Sequence, residues 1–187
     1  MSIILLLLRL PVLVVHILVG LFTILFFPKE PKNFKNSHYR IMMLWMNILS
    51  SILGIKVDIR GIPDQSANLF VSNHVTYLDI IIINKLLPVN FIAKEEISSW
   101  PVIGRLASKT GTLFIKRGDN VESSKMIYEM EERFKLQNKI VFFPEGKIGN
   151  GKRVRKFHYK LFKSIENKEL YIQPIAIRYP IEYPVNN

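Results

Sequence analysis

The chain has 187 residues, of which 49% are hydrophobic, a formal net charge of +11 and no cysteine. That length holds one compact domain with a short anchor and excludes two full-sized domains, and the missing cysteines exclude disulfides, thiolate metal sites and a cysteine nucleophile. The positive excess on an apolar chain excludes a disordered tail and calls for an anionic partner; membrane lipids, nucleic acid and phosphorylated metabolites all fit on charge alone.

From Ile3 to Phe27 the sequence is apolar, interrupted only by Arg9, Pro11, His16, Gly20 and Thr23. At helical rise the run spans about 37 Å against a hydrocarbon core of roughly 30 Å, so it predicts a tilted or Pro11-kinked membrane crossing, with a shallow re-entrant helix pair as the alternative. A signal peptide is disfavoured, because the basic residues Lys29, Lys32 and Lys35 follow the apolar run and no small-residue cleavage site is present. With Arg40 they assign the following domain to the cytoplasmic side by the positive-inside rule, while Arg9 snorkels at the other end. The stretch Tyr39 to Ile55 interleaves Met42, Trp45, Leu49 and Leu53 with Asn47, Ser50 and Ser51. Two readings stand open for it, a helix lying in the membrane interface and a buried core helix.

After Gly54 short β-rich runs alternate with helical stretches, the pattern of an α/β layer structure. Strands are expected at Lys56 to Arg60, Leu69 to Ser72, Asn90 to Ala93, Thr112 to Lys116, Lys139 to Phe143 and Tyr171 to Arg178. Helices are expected at Ile80 to Leu87, stopped before Pro88, at Ile103 to Ser108, and at Val121 to Gln137, where Met126, Ile127, Met130 and Phe134 recur at spacings of three and four. The predicted fold class is α/β: a single mixed sheet flanked by helices, preceded by an N-terminal membrane-anchoring helical segment. Domain boundaries fall at residues 1–55 for anchor and interfacial helix and 56–187 for the body.

The stretch Asn73-His74-Val75-Thr76-Tyr77-Leu78-Asp79 closes one predicted strand and opens the next helix, where α/β sheets place their ligands. Five residues apart, His74 and Asp79 diverge within one helix or one strand and meet only across a turn. If they meet, the carboxylate fixes tautomer and orientation on one ring nitrogen, and the other nitrogen can take a proton from an attacking hydroxyl. The bland reading is a surface histidine beside an ordinary first-turn aspartate. Two companions change the balance: Phe143-Pro144-Glu145-Gly146 directly after one strand, and Lys116-Arg117-Gly118 at the end of another. The four histidines show no ligand-pair spacing, so no metal is expected.

The order Asn73-His74-x4-Asp79, then Gly111-Thr112-Leu113-Phe114-Ile115-Lys116-Arg117, then Phe143-Pro144-Glu145-Gly146, then Ile172-Gln173-Pro174-Ile175-Ala176 resembles the four-block pattern of the glycerolipid acyltransferases related to 1-acyl-sn-glycerol-3-phosphate acyltransferase. The resemblance covers roughly Lys56 to Arg178. It implies an O-acyltransferase with acyl-CoA or acyl-carrier-protein as donor, no resident cofactor, and a lysophospholipid as acceptor, first of all 1-acyl-sn-glycerol-3-phosphate giving phosphatidic acid. It implies His74 as base, Asp79 as its orienting partner, and Asn73, Arg117, Glu145, Gly146 and Lys147 around the acceptor. Chemistry agrees for Arg117, whose planar fork suits a phosphate, and for Gly146, which lets backbone approach a ligand. Glu145 would repel a phosphate, so it is expected to hold a cation or a backbone amide.

One departure concerns the third block, which in the family continues with threonine, arginine and serine; Lys147, Ile148 and Gly149 stand here. Lys147, or one of Lys152, Arg153 and Arg155, then supplies the positive charge, without a lysine reproducing a bidentate fork. This bears on the acceptor more than on the reaction, and the last two blocks resemble members acting on other lysolipids, including lyso-ornithine lipids. Family members commonly continue past the fourth block, so a cover over the acyl site is expected to be missing. Lys147 to Lys163 carries seven basic residues and no acidic one, interleaved with Phe157, Tyr159 and Phe162. Beside an anchor it suits anionic headgroups or an acidic donor carrier. A membrane-attached nucleic-acid binder, a merely solvated loop and a catalytically silent lipid-binding member of the fold are the alternatives.

Overall fold

The computed structural model describes residues 3–116, 120–149 and 153–180. Helix α1 spans Ile3–Thr23 and continues into a 3-10 turn at Ile24–Phe26. The run Leu7–Phe26 is long and apolar enough to cross a membrane, and only 17% of it is buried within the protein. Helix α2, Asn36–Ile52, packs on both α1 and the body. Its Trp45 stacks on His16 at 4.5 Å and donates its indole N–H to the His16 carbonyl. Gly20 makes room for that ring: a Cβ there would lie 2.7 Å from Trp45 Nε1. At its start, Tyr39 donates to Asn90 Oδ1, tying α2 to the sheet. The buried-helix reading describes the face carrying Tyr39, Met42, Leu49 and Ser50, which is turned inward; Ile41, Leu44 and Ile48 remain exposed.

Beyond α2 the order is β1 (Ala67–Ser72), α3 (Leu78–Leu86), β2 (Val89–Lys94), α4 (Ile103–Lys109), β3 (Leu113–Ile115), α5 (Asn120–Lys135), β4 (Lys139–Phe142) and β5 (Tyr171–Ile175). The five strands form one sheet in the order β3-β2-β4-β1-β5. Every pairing is parallel, so the single helix-flanked sheet is present and is parallel where a mixed one is expected. Alternation along the strands sends side chains to opposite faces. Leu69, Ile140 and Phe142 join Met126, Met130 and Phe134 of α5 in one core, whereas Phe70, Val89 and Val141 join Ile83 and Leu87 of α3 and its end in the other. Pro174 sits in β5, an edge strand whose outer side needs no ladder donor.

The strand expected at Lys56 to Arg60 is absent: that segment is irregular. Its alternation is real, but none of its residues joins a strand ladder. The Gln173 amide accepts the Asp64 N–H at 2.8 Å and donates to the Ile62 carbonyl at 3.2 Å, holding the following turn against β5.

The topology selects one place for a ligand. From β1 the chain runs through α3 to β2, on the far side of β4; from β4 it runs to β5, on the far side of β1. The two connections leave in opposite directions, and the carboxyl ends of β1 and β4 therefore flank a switch point of the kind that opens a crevice in parallel sheets.

Candidate active site

Asn73 and His74 follow β1 at that crevice, and Phe143 to Gly146 follow β4. The Asn73 side-chain amide donates to the Ile177 carbonyl at 2.9 Å and accepts the Ile177 N–H at 2.7 Å. It thereby imitates one more peptide of the β1/β5 ladder, and the chain beyond β5 is held alongside the end of β1.

Between His74 and Asp79 the backbone turns, as their meeting requires. His74 Nδ1 lies 2.7 Å from Asp79 Oδ2. The same oxygen accepts the N–H groups of Val75 at 2.6 Å and Thr76 at 3.0 Å. Oδ1 accepts the Tyr179 hydroxyl at 2.6 Å. Asp79 is fully buried, and the Val75 and Thr76 N–H groups and the Tyr179 hydroxyl all donate to it, so Asp79 stands as an acceptor and the proton of a neutral His74 lies on Nδ1. Nε2 then carries a lone pair. No described residue engages it, which leaves it available to an incoming hydroxyl.

The imidazole is further held by stacking on Phe143, with centroids 4.0 Å apart. After Phe143 the chain makes a tight turn closed by the Gly146 N–H to the Phe143 carbonyl, with Gly146 at φ 69°, a left-handed conformation that favours glycine. Glu145 is buried, and its Oε2 accepts the Arg155 N–H at 2.9 Å, one of the two kinds of partner its charge leads one to expect. The basic segment folds back over this edge: Gly149 N–H donates to the His74 carbonyl at 2.7 Å, and His158 N–H to the Pro144 carbonyl at 2.8 Å.

A cleft of about 110 Å³ opens beside His74, lined also by Asn73, Glu145, Gly149 and Arg153. It is well below the roughly 300 Å³ at which drug-sized pockets begin. Lys147 is exposed and does not line the cleft, whereas Arg153 does. Arg117, Gly118 and Lys152 lie outside the described residues. No cluster of three or more metal-ligating side chains occurs among the described residues. Tyr179 is the residue that motif reasoning missed; it stands three positions beyond the fourth block, where a lone tyrosine carries no signal of its contact with Asp79.

A family model described as Acyltransferase matches residues 55–178. The chain belongs to the acyltransferase family. The chain is 35% identical over 140 residues to the lyso-ornithine lipid O-acyltransferase of Pseudomonas aeruginosa, covering 75% of this chain and 54% of that protein. It is 30% identical over 147 residues to the 1-acyl-sn-glycerol-3-phosphate acyltransferase of Neisseria gonorrhoeae, covering 78% and 57% respectively. In fold it is similar to the crystal structure of the 1-acyl-sn-glycerophosphate (LPA) acyltransferase from Thermotoga maritima, with a TM-score of 0.57 at 19% identity over 72% of this chain and 55% of that one. The chain spans about half the length of the curated relatives it matches. The family expected from the four ordered blocks is the family found.

Proposed function

We propose that the chain transfers a fatty acyl group from a thioester, acyl-CoA or acyl-carrier-protein, to the free hydroxyl of a lysophospholipid at a membrane, with no resident cofactor and no nucleic-acid partner. The observation that carries this reading is the 2.7 Å contact of His74 Nδ1 with a buried, fully engaged Asp79 at the edge of a cleft that His74 lines. Nε2 takes the hydroxyl proton as that oxygen bonds to the thioester carbonyl carbon. The resulting oxyanion collapses, the C–S bond breaks, and the thiolate leaves with the proton held on Nε2. An assembled base favours turnover over a silent lipid-binding role.

Arg153 is the described cation beside the cleft and, with Lys147 and Arg117, is the proposed partner of an anionic headgroup. Glu145 and Asn73 line the wall, and Gly146 closes the turn that carries Glu145. The acceptor proposed first is 1-acyl-sn-glycerol-3-phosphate. A lyso-ornithine lipid is the second reading, favoured by relatives of that name at 35% and 36% identity and by the missing arginine after Gly146. The apolar α1 supplies the anchor, and the basic residues after it favour a cytoplasmic catalytic domain. The segment from Lys147 to Lys163, on the same edge as His74, is proposed to meet anionic headgroups or an acidic donor carrier.

The test is incubation of the detergent-solubilised protein with labelled acyl-CoA or acyl-carrier-protein and a panel of lysolipids, with products read by mass. A diacylated product from one lysolipid class supports the reading and names the acceptor. Lysolipid binding without any acyl transfer contradicts it.

A further inference from the structure

We infer that Tyr179 is a positioning residue of the His74–Asp79 pair, its hydroxyl holding the carboxylate oxygen that the imidazole does not use. The inference rests on the acyl-transfer reading above and deepens it.

The two oxygens of Asp79 are unequally served. Oδ2 takes His74 Nδ1 and the N–H groups of Val75 and Thr76. Oδ1 has one partner among the described residues, the Tyr179 hydroxyl at 2.6 Å. Asp79 is inaccessible to water, so without that donor Oδ1 becomes a buried, unpaired acceptor bearing part of a negative charge. Without it no described residue fixes the carboxylate from its Oδ1 side, and the orientation in which Oδ2 meets the imidazole is held less tightly.

The hydroxyl is itself directed. Leu78 N–H donates to Thr76 Oγ1 at 2.8 Å, and Tyr179 has already given its hydrogen to Asp79, so the 3.2 Å contact between Thr76 Oγ1 and Tyr179 Oη is a donation from the threonine. A chain of donors thus runs from Thr76 through Tyr179 to Asp79 and meets His74 from the other side. The backbone of Tyr179 is fixed two residues upstream, where Ile177 is clamped at both ends by the Asn73 amide. Burial, with the bond to Asp79 as the second cause, raises the Tyr179 hydroxyl above the ordinary tyrosine range and keeps it a donor through the working pH range. Tyr179 does not line the cleft, so its effect on the reaction passes through Asp79.

A donor hydrogen bond draws charge from the carboxylate. Its removal makes Asp79 a stronger partner for the imidazolium, so protonated His74 is favoured and the acidic limb of kcat/KM moves to higher pH. The titratable and charged groups facing the pair are Glu145 and Arg153 across the cleft and Tyr179 itself; the first two are unchanged in the comparison.

The experiment is a pH–rate profile of full-length, detergent-solubilised Tyr179→Phe beside wild type and His74→Ala. The expected result is kcat lower on the order of tenfold, an acidic limb higher by about half a unit or more, and a KM for the lysolipid within about twofold of wild type. A purely structural role lowers the folded fraction without moving the limb, because limb position does not depend on how much enzyme is folded. Unchanged kcat and limb in Tyr179→Phe, with His74→Ala inactive, overturn the inference and leave the acyl-transfer reading standing; turnover in His74→Ala overturns both. Should Tyr179→Phe yield no folded protein, 3-fluorotyrosine at 179 keeps the ring and strengthens the donor. It is expected to move the limb to lower pH, and an unmoved limb overturns the inference.

Discussion

The imidazole of His74 lies flat on the ring of Phe143, with their planes 10° from parallel. The two residues leave the carboxyl ends of adjacent strands, β1 and β4, whose register pairs Val71 with Phe142. The proposed base is therefore held by two independent constraints: Asp79 fixes its Nδ1 edge, and Phe143 fixes its plane. Phe143 in turn stacks on Phe91 at 6.2 Å, carrying the support on to β2.

Phe143→Leu keeps bulk and removes the flat platform. Aromatic pairing contributes about 0.5–1.5 kcal/mol beyond area burial, so kcat is expected to fall by roughly two- to thirteenfold with little change in melting temperature. Steady-state kinetics beside a thermal melt in detergent check this. Wild-type kcat in a stably folded variant would show that the platform does not position the base.

Asp79 has a structural task beside the catalytic one proposed for it, because two backbone N–H groups in the turn before α3 point at it. Asp79→Asn is expected to reduce kcat by up to about 10⁴-fold through the wrong histidine tautomer. Asp79→Ala is expected to lose activity and to destabilise the fold by about 2 kcal/mol or more, since buried donors are left without an acceptor. Denaturant unfolding of both variants separates the two tasks; equal stability of Asp79→Ala and wild type contradicts the second.

Burial raises the hydroxyl of Tyr39, and burial with the Asp79 hydrogen bond raises that of Tyr179. Both groups hold their protons more tightly folded than unfolded. Their contribution to stability is thus fully present below the unfolded tyrosine value of about 10 and is lost as pH rises above it toward the folded values. Melting temperature is expected to fall between about pH 9.5 and 11, and less steeply when Tyr39 and Tyr179 are both phenylalanine. An equal slope in the double variant contradicts the assignment.

The central pair was legible because its geometry is local. Five residues between a strand end and a helix start leave one way for His74 and Asp79 to meet, and the Phe143 to Gly146 block marks the facing strand end. The α5 stripe of Met126, Met130 and Phe134 was legible for the same reason, since a period of three and four describes one helix by itself. Tyr179 was not. It reaches Asp79 only because β5 lies beside β1 in parallel register and Asn73 clamps Ile177, a relation across about a hundred residues that no local pattern contains. Lys56 to Arg60 misled in the opposite direction: alternation specifies a two-faced segment, but a strand also needs a ladder partner, and the chain next to β5 is instead held at Ile62 and Asp64 by the Gln173 side chain. Nor could the sequence choose the cation of the cleft. The choice of Arg153 over Lys147 depends on how the loop folds back through the Gly149 and Arg155 amides.

The most direct measurement is single-turnover acyl transfer by His74→Ala, with labelled acyl thioester and the lysolipid that the wild-type protein accepts, in preparations whose folding is matched by circular dichroism and thermal melt. The account predicts a folded variant that remains bound to membranes and forms no detectable diacylated product. Product formation at a rate near that of the wild-type protein contradicts it.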